Sequence, residues 1–451
     1  MPPAREPGPI VCLSRSFPPS TAPTAIRAGK LLERLAADRD VVVIAGSGES
    51  RTESRLRVEV VAERRPARTL ALLRRLRLDK LLELALWPDE SIFWVLPALL
   101  AARRVAREIS PVAIVVFMMP YSSGLAGVLL RRLTGAALVV NLDDSPTCTD
   151  MHPHFPSRLH RRLAQWLEDL YVREADAVIY VSRRNLELVA GRQREQDRRK
   201  LRLVRYGADP RAVSSRPQPD RFEILYVGAM SGWWSLIDDG PGSLAARLYG
   251  AWERLGRDRR IELDQRTSSP APIGTAILRA LDRSPQWRGR LRLAVRGNPY
   301  PPELVARALQ QAGVAEVVDV SGPVPHAQVA ELLAAADLLF ITLPKRLDGS
   351  PGGRISAKTY EYLATDRPIL AAVPRGENWD YLQGRPGVWL VEPDDSEAMS
   401  LAIAELAAAK FAGRAVGFDR SALREELSYD TRAEELAAVI AEAVERAGAR
   451  R

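Results

Sequence analysis

Residues Ser350–Leu370 read SPGGRISAKTYEYLATDRPIL, and the fold is decided here. An apolar run, Leu338–Leu343, precedes this stretch and predicts a buried strand. A polar, Gly-rich loop follows over Asp348–Arg354. A helix is then predicted to open near Ser356 and to carry Lys358, Glu361 and Tyr362. Arg367 and Pro368 lead into a second apolar run, Ile369–Val373. Strand, loop, helix and strand in that order form the repeating unit of a parallel sheet.

The residue types suit a nucleoside diphosphate. Glycines such as Gly353 let backbone N–H groups approach phosphate oxygens, and a helix start at Ser356 adds positive potential. Arg354 can fork onto phosphate oxygens and Lys358 adds a compact charge. Arg354, Lys358 and Glu361 fall at i, i+4 and i+7, so one continuous helix would place all three on one face. Glu361 would then accept hydrogen bonds from ribose hydroxyls. The same residues also fit a solvated, salt-bridged helix face beside a Gly-rich loop.

Outward from this stretch the alternation continues in both directions. Strands are predicted at Ile10–Leu13, Val41–Ala45, Val112–Phe117, Ala137–Leu142, Ala177–Val181 and Leu201–Val204, with helical patterns between several of them. A Pro-, Arg- and Ser-rich break covers Gly207–Asp220. The pattern restarts at Phe222–Val227 and runs through Leu291–Val295, Leu338–Leu343, Ile369–Val373 and Val388–Val391. The end of the chain, Ser421–Ala447, reads as mostly helical. The expected fold is α/β with two Rossmann-like halves: residues 1–209, residues 210–410, and a helical tail, 411–451, that returns to the first half. Ligands of open parallel sheets sit beyond the carboxyl ends of the strands, so the strand-end loops hold the candidate site.

Composition agrees with a two-domain globular protein. The chain has 451 residues, 46% of them apolar and 27% charged, more than the roughly 250–300 residues that one core usually supports. A net charge of +9 favours anionic partners, although much of it reflects an Arg-rich composition, and no nucleic-acid-binding module is recognisable. Two cysteines, Cys12 and Cys148, give no disulfide framework, which suits a reducing cytoplasm. The first residues lack the apolar core of a signal peptide, and no apolar run reaches the ~20 residues of a spanning helix. The expectation is a cytoplasmic protein, at most peripheral on a membrane.

The run Ser356–Ala371 resembles the donor-site helix of glycosyltransferase family 4, the group 1 glycosyltransferases of GT-B fold. Phe222–Gly228 (FEILYVG), Pro325–Asp337, Ala175–Ser182 (ADAVIYVS), Val204–Asp209 and Glu425–Ala438 are similar to further segments of that family, in the same order. The resemblance implies two Rossmann-like domains facing a cleft, an N-terminal acceptor domain, and a C-terminal domain holding a nucleotide sugar. It implies ribose contact by Glu361 and retaining transfer without a metal or other cofactor. Gly228 and Ser356 join Arg354 and Lys358 as expected donor contacts. The chain departs from the family in having Gly353 where a sugar-binding Glu is common. It also lacks the usual cationic pair after Gly228, for which Arg296 and Arg354 are candidate substitutes.

The loop Asn141–His154 follows a strand and gathers Asp143, Asp144, Cys148, Asp150, His152 and His154. Its spacing gives no strong metal pattern. Asp144 and His152 are candidate general bases for an inverting variant. Arg64–Leu86 is rich in Arg and Leu, yet Arg74, Arg75, Arg77 and Lys80 do not segregate from the leucines on a helical wheel, so a membrane-binding face is only weakly indicated. Trp87, Phe93 and Trp94 are candidates for an acceptor pocket or for core. Trp233 and Trp234 cannot both point one way in extended chain. The expected partners are a nucleotide sugar and a glycan, lipid-linked or small-molecule acceptor. A nucleotide-sugar epimerase and a non-catalytic nucleotide- or glycan-binding protein are the alternatives.

Overall fold

A computed structural model describes residues 8–148, 150, 154–209, 215–230, 232–238, 243–414 and 416–450. The strands, in chain order, are β1 (Ile10–Ser14), β2 (Val41–Ala45), β3 (Arg51–Glu53), β4 (Leu56–Val60), β5 (Ala113–Phe117), β6 (Ala137–Leu142), β7 (His154–Phe155), β8 (Ala177–Tyr180) and β9 (Leu201–Leu203). There follow β10 (Phe222–Val227), β11 (Asp258–Arg259), β12 (Leu263–Asp264), β13 (Leu291–Arg296), β14 (Val318–Ser321), β15 (Leu338–Thr342), β16 (Lys345–Arg346), β17 (Ile369–Ala372) and β18 (Val388–Val391).

Two compact units form. The first comprises residues 1–207, 250–260 and 429–451, and the second 208–249 and 261–428. The first unit holds an eight-stranded sheet in the order β3-β4-β2-β1-β5-β6-β8-β9. All pairs are parallel except β3–β4. Its inner strands are apolar throughout because helices cover both faces, and β1, β2, β5 and β6 are fully buried. The helix Tyr429–Gly448 buries Leu436, Val439 and Ile440 in one of the two cores that flank this sheet.

The second unit holds a six-stranded parallel sheet, β14-β13-β10-β15-β17-β18. The chain builds outward from β10 to β13 and β14 on one side, then outward from β15 to β17 and β18 on the other. The strand order therefore reverses between β10 and β15, and a crevice opens beyond their carboxyl ends. In the first unit the reversal falls between β1 and β5.

Three departures from the sequence reading appear. Strands β4 and β14 alternate polar with apolar residues and were not expected. Residues 250–260, read as donor domain, belong to the first unit, where β11 pairs antiparallel with β7 (Asp258 with Phe155, Arg259 with His154). The helix Ser421–Leu427, read as part of the returning tail, stays with the second unit.

Candidate functional site

In the second unit the site forms at the reversal point. β10 ends at Gly228, whose N–H donates to the Arg296 carbonyl at 2.6 Å, and β13 ends at Gly297. Both glycines have positive φ, +108° and +99°, which a side chain rarely adopts. They also abut: a β-carbon on Gly297 would stand 3.1 Å from the Gly228 Cα. Bare backbone is thereby presented at the mouth of the crevice, the condition for close approach of a phosphate.

The helix Ala357–Leu363 follows β15 and is tied to this edge. The Val227 N–H donates to the Tyr362 hydroxyl at 3.1 Å, and burial pushes that hydroxyl's pKa upward. Lys358 is brought beside Gly228 and lies 4.9 Å from the centre of the Tyr226 ring. Glu361 is half-buried one turn further along.

Arg354 is not on this helix, contrary to the single-face reading. Ser356 is an extended N-cap residue (φ −70°, ψ 137°) that breaks the spiral before Ala357. Arg354 instead belongs to the loop, held by contacts the sequence did not reveal. Gly352 N–H donates to the Arg375 carbonyl at 3.2 Å, and the Gly352 carbonyl accepts from Glu377 N–H at 3.0 Å. Asn378 Oδ1 accepts from Thr359 Oγ1 at 2.8 Å and from Ser356 N–H at 3.3 Å. Asn378 is 2% exposed, so the loop and the helix start share one buried anchor. Gly353 and Ser356 are both buried.

Charge matching sorts the cations of this unit. Arg296 Nη2 donates to Asp319 Oδ2 at 2.6 Å, Lys345 pairs with Asp394 at 3.0 Å and Arg375 with Glu392 at 3.4 Å. Arg296 is thus already committed at the β13–β14 edge, which weakens its candidacy as a replacement cation. Arg354 and Lys358 have no carboxylate partner among the described residues. Lys358 thus sets an uncompensated cation beside bare backbone, a combination suited to an anion. Trp233 is fully buried in the core while Trp234 is 66% exposed, so the pair is divided.

In the first unit the end of β6 carries a buried network. Arg27 Nη1 donates to Asp143 Oδ1 at 2.6 Å and to Asn141 Oδ1 at 2.8 Å, and its Nη2 donates to the Val204 carbonyl at 2.7 Å. Tyr206 donates to Asp143 Oδ2 at 2.8 Å, and burial together with the Asp143 charge raises the Tyr206 pKa well above its usual value. Asp143 is therefore structural. Its neighbour Asp144 is half-buried, and the Asp144 carbonyl accepts from the Tyr121 hydroxyl at 3.2 Å. His152 lies outside the described residues.

His160 Nε2 donates to the Leu84 carbonyl at 3.1 Å, so its Nδ1 accepts from Ser157 Oγ at 2.7 Å, and both ring nitrogens are used. Burial and the nearby Arg257 lower the His154 pKa. Among the described residues no group of three or more His, Cys, Asp or Glu is placed to hold a metal ion. Trp94 is fully buried core, whereas Trp87 lines a cavity beyond β5 and β6. The Arg- and Leu-rich stretch forms two short helices, Ala67–Arg75 and Asp79–Ala85. Lys80 is buried, donating to the carbonyls of Trp252 and Leu255, and Arg74 pairs with Glu90. The four cations therefore form no common face.

Comparison with known proteins bears on both units. Residues 24–207 match the family described as glycosyl transferase 4-like domain, and residues 275–409 match glycosyl transferases group 1. A D-inositol 3-phosphate glycosyltransferase from Thermobispora bispora is 29% identical over 239 residues, 51% of this chain and 52% of that protein. The match thus spans about half the length of that curated relative. Among solved structures, sucrose-phosphate synthase from Thermosynechococcus elongatus aligns with a TM-score of 0.63 at 15% identity, over 96% of this chain and 98% of its own. Anabaena HepE, solved with UDP-glucose, aligns with a TM-score of 0.60 at 15% identity, over 96% and 99%. At such identities the structural likeness is one of fold.

Proposed function

We propose that this chain, which belongs to the glycosyltransferases that join a 4-like domain to a group 1 domain, moves a sugar from a nucleoside-diphosphate sugar to an acceptor bound by its first unit. Its α/β fold with parallel sheets is that of GT-B glycosyltransferases. The observation that carries the donor assignment is Lys358, packed beside the bare backbone of Gly228 with no carboxylate partner among the described residues, with Arg354 in the loop that leads into its helix. Gly353 and Ser356 line the same loop, and Glu361 is suited to accept from ribose hydroxyls. HepE was solved with UDP and with UDP-glucose, which makes uridine the first nucleoside to test here.

Transfer breaks the bond between the anomeric carbon and the diphosphate oxygen and leaves one additional negative charge on the departing group. Arg354 and Lys358 stabilise that charge, so the reaction proceeds without a metal or cofactor. In the retaining course the donor's β-phosphate takes the acceptor proton and no protein base is needed. In an inverting course Asp144 or His152 takes it. Acceptors of this reading are glycans, glycolipids or small hydroxylated metabolites.

The experiment is incubation with UDP-glucose and related donors in the presence of EDTA, following released nucleoside diphosphate and the anomeric configuration of the product by NMR. Metal-independent release with retention is expected. Transfer that stops on chelation, or no release with any donor, contradicts the reading.

A peripheral membrane contact is a secondary part of this reading. No helix among the described residues is long and apolar enough to cross a membrane. Leu72 and Leu76 are 56% and 58% exposed, with Arg75 and Arg77 exposed nearby, a combination that favours an anionic bilayer surface. Co-sedimentation with phosphatidylglycerol vesicles is expected and should fail with Leu72→Ser/Leu76→Ser. Equal sedimentation of both proteins would rule this surface out.

A further inference from the structure

One face of the first unit's sheet is covered by the helices Ile92–Ile109, Ser123–Thr134 and Arg158–Glu174, whose inner residues, among them Trp94, Ala126 and Leu167, join one core. The first two helices pack side by side, and Arg132 of the second pairs with Glu174 of the third at 2.6 Å. The outward stripe of such helices is expected to be polar. In Ile92–Ile109 that stripe is Leu96, Leu100, Arg103 and Arg107, and the two leucines are 62% and 57% exposed. Ser123–Thr134 exposes Leu129 and Leu133, and Arg158–Glu174 exposes Leu159 and Trp166 together with Arg158 and Arg162. The other face of the sheet differs. Its helices, Pro23–Leu35 and Tyr429–Gly448, expose no large apolar side chain among the described residues.

Charge on the leucine-bearing helices is one-sided. The side chains of Arg103, Arg107, Arg158 and Arg162 are exposed and have no ion pair or hydrogen bond among the described residues. Every carboxylate on the three helices is engaged: Glu108 with Arg57 at 2.7 Å, Glu168 with Arg192, Asp169 with Arg192 at 2.9 Å and Glu174 with Arg132. A second copy of this face would set the arginines against one another with no free carboxylate to receive them, which opposes self-association. An anionic bilayer answers both features. Leucines enter the boundary between headgroups and acyl chains, tryptophan belongs at that depth, and guanidinium groups meet lipid phosphates. The Asp79–Ala85 helix, which packs on the one carrying Leu72 and Leu76, joins this layer: the Leu84 carbonyl accepts from His160 Nε2 at 3.1 Å, and the rings of Trp87 and Trp166 lie 6.3 Å apart.

We propose that the outward face of these three helices seats the first unit on an anionic lipid bilayer, with Leu96, Leu100 and Trp166 entering the interface and Arg103, Arg107 and Arg162 binding lipid phosphates. The partner rests on the peripheral membrane contact read above; the surface is a new and broader one.

The test is flotation of the full chain with vesicles of phosphatidylcholine, alone or mixed equally with phosphatidylglycerol. It compares wild type, Leu96→Ser/Leu100→Ser, Arg103→Gln/Arg107→Gln and Leu72→Ser/Leu76→Ser. Thermal melts show that each variant folds, and light scattering gives its oligomeric state. Wild type is expected to bind the mixed vesicles and not pure phosphatidylcholine. Removing two arginines, at about fivefold each, weakens binding about 30-fold, and removing Leu96 and Leu100 weakens it roughly tenfold or more. Absence of wild-type binding to the mixed vesicles overturns the proposal, as does equal binding by wild type and these two variants. Should the leucine variant not fold, the arginine variant decides. Loss in Leu72→Ser/Leu76→Ser alone confines the contact to the two short helices and also overturns it, whereas loss only in the other two variants removes that earlier contact and keeps this one. A wild-type dimer that Leu96→Ser/Leu100→Ser dissociates assigns the face to a second copy and overturns the bilayer. UDP titrated without vesicles reads the donor site independently of all these outcomes.

Discussion

Lys358 stands against Gly228: a β-carbon on that glycine would lie 3.1 Å from the lysine Cε and 3.3 Å from Nζ. The cation is thus packed over a strand end that only glycine can form, and the two residues define one element of the site. Each constrains the other, because φ at Gly228 is +108° and the lysine occupies the space a side chain would need.

Gly228→Ala should therefore damage the site twice. The backbone strain costs about 1–3 kcal/mol, and the methyl group displaces Lys358. A lower melting temperature together with UDP affinity reduced beyond tenfold is expected from thermal melts and calorimetry. An unchanged UDP affinity would show that Lys358 does not face the ligand.

Arg354→Ala and Lys358→Ala each remove a charge-assisted contact worth about 1.5–3 kcal/mol, so UDP should bind roughly 10–150-fold more weakly. Titrations at several salt concentrations should show a shallower salt dependence in each variant, since one screened attraction is gone. Arg354→Lys should restore only part of the affinity, because the fork is lost while the charge remains.

Asn378 tests the loop anchor. Asn378→Ala leaves Ser356 N–H and Thr359 Oγ1 without their shared acceptor, at a cost of about 1–3 kcal/mol. UDP affinity should fall although Asn378 lies behind the loop, and Asn378→Asp, which keeps the acceptor oxygens, should recover more of it. Equal affinities in wild type and Asn378→Ala would separate this anchor from binding.

Arg27→Met removes one side of the buried pair with Asp143. An uncompensated buried charge should lower stability by about 3–5 kcal/mol. Below the melting transition, UDP affinity should stay at the wild-type value, because the pair belongs to the first unit and Lys358 to the second. Denaturant unfolding and calorimetry measure the two effects separately.

The strands were legible where burial on both faces leaves an uninterrupted apolar run, as in β1, β5 and β15. They were illegible where one side faces solvent: Leu56–Val60 reads LRVEV and Val318–Ser321 reads VDVS, patterns too short to stand out. The helix that carries Lys358 and Glu361 and the strand end at Gly228 were legible because helix spacing and strand-end glycine are local signals. Asn378 and Gly297 were not, since their roles arise from contacts between separate loops. The placement of Arg354 failed for a local reason, the extended Ser356 that delays the helix start. Membership of 250–260 in the first unit depends on a two-residue pairing with His154 and Phe155, which no local pattern announces.

The central claim is that Arg354, Lys358 and Glu361 hold a nucleoside diphosphate. Its most direct test is the melting temperature of wild type, Glu361→Ala and Arg354→Ala/Lys358→Ala across UDP, GDP and ADP. A ligand confined to the native state at a hundred times its Kd stabilises by about 2.7 kcal/mol. A clear rise is expected in wild type with one of the three diphosphates, and its loss in both variants. No rise with any diphosphate, or an equal rise in wild type and both variants, would contradict it.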